Sequence, residues 1–273
     1  MNCLRHATSR SASLCFSLLA ISIAGLLPHS VQAQEACNGP TGQTVIVVGN
    51  GAFVCGTNAT AGANNTVALG TQAQALSADA LAVGFNATAN GVSSTAVGSV
   101  SVAGNSASAF GTGAQANGDR STAMGVSATT TGTDSVAIGN LAQGQGDRSV
   151  SVGVNSIGGA PGVVAVGSGA NASGNDSIAI GENASTTAAA VNATAVGENA
   201  TVTAQEGTSL GYGSNVSGLR GAALGFSASV TAQDAVAIGA GSVADRATAF
   251  RSAARGRRGR SSTSPPAHRA PMR

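Results

Sequence analysis

The sequence predicts an all-β fold, a β-solenoid of 14-residue coils, on three observations. A glycine preceded by an apolar and a small residue recurs in near-constant register, the residues before it alternate with period two, and the composition excludes a core of large side chains. Self-similarity at a fixed short period is the mark of a repeat architecture, in which each unit buries its faces only against its neighbours.

The register carries the most weight. Thirteen copies of the pattern end at Gly70, Gly84, Gly98, Gly111, Gly125, Gly139, Gly153, Gly167, Gly181, Gly197, Gly211, Gly225 and Gly239. All intervals are 14 except one of 13, from Gly98 to Gly111, and one of 16, from Gly181 to Gly197. The residue before each glycine is apolar (Leu69, Val83, Phe110, Ile138, Ile180), and the one before that is Ala or Ser. Such alternation describes a short strand with two unlike faces. Ala or Ser three residues past most glycines (Ala73, Ala114, Ser156) opens a second strand, and Gly, Asn and Asp then mark a turn. Two strands of four or five residues with two turns fill one coil. On this reading the bulky row fills the thin coil, placing Val136 and Ile138 in the core, and the row of small residues faces a second chain. A homo-oligomer therefore follows, and thirteen coils make a rod on the order of 60 Å long.

Composition agrees. The 273 residues include 39 Gly but only 6 Phe, 1 Tyr and no Trp, and charged residues make up 9% against about 25% in ordinary globular chains. A mean hydropathy of +0.19 excludes a highly charged disordered chain, and the absence of glycine at every third residue excludes collagen.

The chain divides into four segments. Residues 1–33 read as a signal peptide: Arg5, His6 and Arg10 precede the apolar run Leu14 to Leu27, and Val31-Gln32-Ala33 offers a cleavage site before Gln34. Residues 34–63 form an N-terminal cap holding Cys37 and Cys55, the two thiols of the exported chain. An oxidising compartment favours a disulfide between them, two free thiols being the alternative, and no His is at hand for a metal site. Residues 64–246 are the repeats. Residues 247–273 form a basic, disordered tail with seven Arg and no acid from Arg251 onward. Back-translated with permitted codons and read in a shifted frame, that stretch spells VGSAGAQRQIVNV, which places a glycine about 14 residues past Gly239. The tail is therefore read as a frameshift product arising near Arg246.

The repeats Asn65-Thr66-Val67-Ala68-Leu69-Gly70, Asp134-Ser135-Val136-Ala137-Ile138-Gly139 and Asp176-Ser177-Ile178-Ala179-Ile180-Gly181 resemble the N-S-V-A-I-G repeat of the head domain of trimeric autotransporter adhesins, the YadA-like heads. The resemblance implies a left-handed parallel β-roll and a homotrimer on the bacterial outer surface. It also implies binding to host extracellular matrix, such as collagen, or to other surface receptors. The ligand-binding candidates that match the motif are Asn65, Val67, Ser135, Val136, Ile138, Ser177, Ile178 and Ile180, with Asp134 and Asp176 standing where the motif has Asn. In that family a neck, coiled-coil stalk and β-barrel anchor follow the head, and the shifted frame resembles the neck motif. Without an anchor, retention in the periplasm is the alternative to the cell surface.

Chemistry is mostly excluded by residue type. Residues 34–250 contain no His and no Lys, so a His-dependent triad, a phosphate-loop lysine and a His-rich metal site are unavailable. No enzyme activity, cofactor, metal or nucleic-acid partner is expected. Four Arg against 11 acids give that body a net charge of −7, which the basic tail masks. Asp79, Asp134, Asp176 and Asp234, each five before a repeat glycine, read as turn residues, and Asp119-Arg120 and Asp147-Arg148 as solvated or inter-chain ion pairs. Phe85, Tyr212 and Phe226 are the rare large side chains placed either for exposure or to plug a trimer axis. A spacer fibre without its own ligand is the alternative function. An ordered Thr array of the ice-binding kind is broken, because Thr stands three before the glycine only at Thr95, Thr122, Thr194 and Thr208.

Overall fold

Two parallel sheets run the length of the solenoid. The computed structural model describes residues 35–37, 46–248 and 250–252, all within the compact unit Gln34–Arg273. The predicted signal peptide at 1–33 and the tail beyond 252 lie outside the described residues. Sheet A has 16 strands, from Glu35–Cys37 to Phe250–Ser252, and sheet B has 15, from Ile46–Val47 to Val243–Ala244. Successive strands of the chain alternate between the sheets, so every strand pairs with its counterparts one coil before and after.

With each repeat glycine counted as position 0, sheet A takes positions −3 to −1, as in Val67–Leu69, and sheet B positions +4 and +5, as in Gln74–Ala75. The strands are thus three and two residues long, shorter than the expected four or five. The rest of each coil is spent on two turns, each of which needs a left-handed residue. The first turn starts at the repeat glycine, whose φ runs from 105 at Gly239 to 142 at Gly56, a region closed to side chains. A Cβ on Gly139 would also strike the carbonyl oxygen of Gly153 in the next coil. Position +2 follows in the αL region (Asn58, Asn86, Asn183, Asn199), and position +9 of the second turn does the same (Asn65, Asp79, Asp134, Asp176). Asn and Asp tolerate αL better than other side chains, which is why turn residues recur in register.

Pairing keeps the sequence register. Val136, Ala137 and Ile138 lie opposite Val150, Ser151 and Val152. The 13-residue and 16-residue intervals leave both sheets in line, with Thr95 opposite Ser108 and Ile178 opposite Thr194. Both length changes fall in the second turn, between Val102–Ala103 and Ser108–Phe110 and between Ser185–Thr186 and Thr194–Val196, and the longer turn buries Ala190 against the core while Ala188 stays outside as a turn residue would.

The inside of the coil reverses the sequence reading. Positions −4, −2, +3 and +5 point inward and are fully buried, and they are almost all Ala, Ser, Thr, Val or Gly: Thr66, Ala68, Ala73 and Ala75 in one coil, Ser177, Ala179, Ala184 and Thr186 in another. Val136 and Ile138, expected in the core, lie on the outer face of sheet A and are only half-buried. The physical reason is thickness. A 14-residue coil folds its two strands so close together that only methyl-sized groups fit between them, and bulky residues go outside. The small row therefore faces the opposite strand of its own coil, not a second chain.

Volumes inside are matched across the coil. Positions −4 and +5 face each other, joined by Thr130 Oγ1 to Ser121 Oγ at 2.7 Å and by Ser177 Oγ with Thr186 Oγ1 at 2.7 Å. Where +5 grows to Val202, Val216 or Val230, the −4 residues between them shrink to Gly207 and Gly221; where −4 grows to Val163, the preceding +5 is Gly158. Positions −2 and +3 pair likewise, Ser151 with Ser156 at 2.8 Å and Ser209 with Ser214 at 2.6 Å. Close packing of this kind makes each coil a fitted neighbour of the next.

The solenoid also exceeds the predicted limits of 64–246. Phe53–Cys55 and Thr60–Ala61, assigned to the cap, are ordinary strands paired in register with Val67–Leu69 and Gln74–Ala75. Phe250–Ser252, assigned to the tail, pairs with Val236–Ile238. Cys37 is the register partner of Cys55, and Cys55 is a free thiol.

Candidate binding surfaces

Because the interior takes only small side chains, everything larger is displayed on four surfaces: the outer faces of the two sheets and the two turn edges. The outer face of sheet A carries positions −3 and −1 and is apolar. Val67, Val136, Ile138 and Ile178 are half-buried there, and Ile180, Met124 and Ile238 are exposed. The outer face of sheet B is uncharged and mostly polar at position +4, with Gln74, Thr88, Gln115, Thr129, Gln143 and Thr201, interrupted by Val102, Ile157 and Val243.

The motif-matched candidates separate across these surfaces. Val67, Val136, Ile138, Ile178 and Ile180 share the sheet A face. Ser135 and Ser177 are fully buried and cannot touch a ligand: Ser135 Oγ donates to the Gly132 carbonyl at 2.7 Å, and Ser177 bonds Thr186. Their hydroxyls serve the inside of the coil. Asn65 is exposed in the second turn at φ 55, and its Nδ2 donates to Asp79 Oδ1 of the next coil at 3.0 Å.

That turn edge is a file of coil-to-coil polar bonds. Asn64 Oδ1 accepts the Asn50 N–H at 2.9 Å, and Asp147 Oδ1 accepts the Thr133 N–H at 2.9 Å. Arg120 bonds Asp134 through two nitrogens, at 2.6 and 2.7 Å, and Arg220 bonds Asp234 in the same way at 2.6 and 2.9 Å. These pairs join adjacent coils of one chain with both partners exposed, so Arg120 is solvated as expected for Asp119-Arg120, and its partner is Asp134 of the next coil. The guanidinium hydrogen bonds hold the Asp134 and Asp234 carboxyls below their ordinary pKa and raise the arginines above theirs.

The opposite edge, at positions +1 and +2, holds three aromatic residues. Phe85, Tyr212 and Phe226 directly follow their repeat glycines and are exposed. Tyr212 and Phe226, one coil apart, stack with ring centroids at 5.3 Å and an interplanar angle of 5°. The signal for this pair was present in the sequence as two aromatics at the same coil position 14 residues apart. Glu182 and Glu198 hold that position in the two preceding coils.

Fourteen-residue parallel coils with a small-residue interior and an apolar outer sheet define a β-solenoid repeat protein. The YadA head domain repeat matches at residues 48–73, 75–101, 103–128, 116–142, 131–156, 164–184, 188–214 and 217–242, so the chain belongs to that family. Among solved structures, the collagen-binding domain of the Yersinia adhesin YadA is similar at 28% identity, over 57% of this chain and 68% of that one, with a TM-score of 0.29. No curated protein matches the chain.

Proposed function

We propose that the chain is the head of a bacterial surface adhesin that works as a homotrimer and attaches to host extracellular matrix. Family membership through consecutive head repeats over residues 48–242 carries this reading. The trimer rests on the sheet A face: rows such as Leu69, Val83 and Val97, or Met124, Ile138 and Val152, leave a continuous apolar strip that one chain alone cannot cover. Burial of such a strip is worth roughly 25 cal/mol per Å2, and an unpartnered one marks an interaction site. Three chains packed by this face would cover Val67, Val136, Ile138, Ile178 and Ile180, leaving the polar sheet B face and the turn edges, with Asn65, for a ligand. Collagen is the first ligand to test, being what the Yersinia domain is named for binding.

The test is mass by light scattering followed by binding of the purified protein to immobilised collagen, fibronectin and laminin. A trimer that binds at least one of them supports the reading. A trimer that binds none is a spacer, and a stable monomer removes the interface argument.

A further inference from the structure

The first-turn edge of the solenoid carries a feature that neither the trimer face nor the repeat motif uses. Glu182, Glu198, Tyr212 and Phe226 occupy position +1 of four successive coils. Their backbones form one ladder: the carbonyls of Glu182, Glu198, Tyr212 and Phe226 accept the N–H groups of Asn199, Gly213, Ser227 and Gly241 at 2.9, 2.8, 2.8 and 2.8 Å. Side chains in such a file are spaced by about 4.8 Å, the distance between adjacent strands. All four are exposed. Beside the rings, position +2 is Gly213 and Ser227, too small to cover them.

We propose that this edge binds a basic polypeptide segment, with an arginine lying on the Tyr212–Phe226 stack and neighbouring cations on Glu198 and Glu182. Two observations select that chemistry. An exposed aromatic stack attracts a guanidinium, and Glu198 holds the rung next to Tyr212, so a cation on the stack is one rung from a carboxylate. The carboxylates also stand apart from the arginine pairs of the opposite edge: Arg120 bonds Asp134 and Arg220 bonds Asp234, while Glu198 accepts the Asn199 amide at 3.3 Å. The body, at four Arg against 11 acids, adds a long-range field of the same sign. This inference stands apart from matrix attachment, since it concerns a different surface and a different partner chemistry.

The test uses fluorescein-labelled octa-arginine and octa-lysine peptides, with anisotropy read against the full exported chain at low and at physiological salt. The Tyr212→Ala/Phe226→Ala variant is expected to weaken octa-arginine binding about fivefold to tenfold and octa-lysine binding less, because only the guanidinium stacks. The Glu182→Gln/Glu198→Gln variant is expected to weaken both and to flatten the salt dependence. The control Asp119→Asn/Asp147→Asn, on the opposite edge, removes the same number of charges and is expected to change neither. Equal losses in the control and in the Glu variant would mean general attraction to an acidic rod and overturn the proposal. So would a fall in sedimentation mass on removing the two rings, which would assign the stack to a second copy of the chain. Far-UV circular dichroism of each variant confirms that the coils remain folded.

Discussion

The sharpest consequence of a methyl-thin interior is that volume must be conserved across it, and Gly207 tests this. A Cβ built there lies 2.6 Å from Val202 Cγ1 and 3.0 Å from Val216 Cγ1, with the Ala204 carbonyl oxygen at 3.2 Å. Valine is stiff at χ1, so neither methyl can swing aside. Gly207 has no positive φ, so the backbone itself accepts alanine. Gly207→Ala should then gain about 0.4–1 kcal/mol from the less disordered unfolded chain and lose about 1–3 kcal/mol to overpacking, a net loss near 1–2 kcal/mol. Val202→Ala alone removes two methyl equivalents, about 1.6 kcal/mol of burial at about 0.8 kcal/mol each, plus a cavity term. Together the two changes refit the coil, so the double variant should be more stable than the sum of the singles by about 1 kcal/mol or more. Urea unfolding followed by far-UV circular dichroism, at fixed protein concentration, reads all four corners of the cycle. Additivity within about 0.3 kcal/mol, or a stabilising Gly207→Ala, would refute the reasoning.

Other expectations follow from the turns and the edges. Val100 and Leu141 sit in the αL region at φ 59 and 57 while largely exposed, so Val100→Asn should raise the thermal midpoint, with a gain of up to about 1 kcal/mol. Gly139→Ala should do the opposite and lower the midpoint by many degrees, because it adds a forbidden φ to a clash with the Gly153 carbonyl. The Asp134 and Asp234 carboxyls are held below their ordinary pKa by Arg120 and Arg220, so the unfolded state binds protons first as pH falls. Their contribution is present above the unfolded carboxylate pKa and lost as pH drops through the folded one. A small acid-side loss of thermal stability should therefore shrink in the Asp134→Asn/Asp234→Asn variant, read by melts from pH 7 to pH 2. Under oxidising conditions Cys37 and Cys55, register partners in adjacent strands, are expected to join; intact mass after alkylation would show no adduct, and two adducts would contradict this.

Much of this protein is legible along the chain because a solenoid turns sequence period directly into spatial period. Glycine spacing gave the coil length, and the structure keeps it: a 13-residue or 16-residue interval alters a turn but never the pairing. The left-handed turn positions were also readable, since Asn65, Asp79, Asp134 and Asp176 recur in register for a local conformational reason. Residue types alone separated a binding or structural rod from His-dependent chemistry, since residues 34–250 contain no His and no Lys.

Which face of the alternation lies inside could not be read that way. Period two states that Val136 and Ile138 differ in environment from Ser135 and Ala137, and the ordinary expectation puts the larger pair in the core. Only the closeness of the two strands of one coil decides otherwise: it admits Ala137 and Ser135 and expels Val136 and Ile138 to the outer sheet. The same closeness turns Ser135 and Ser177 from ligand candidates into internal hydrogen-bonding groups and leaves an apolar strip on the outer face of sheet A. That the solenoid runs past the repeat pattern was likewise a tertiary matter. Phe53–Cys55 and Phe250–Ser252 lack the full pattern, yet each pairs in register with its neighbouring strand, because backbone N–H and C=O groups pair whatever the side chains.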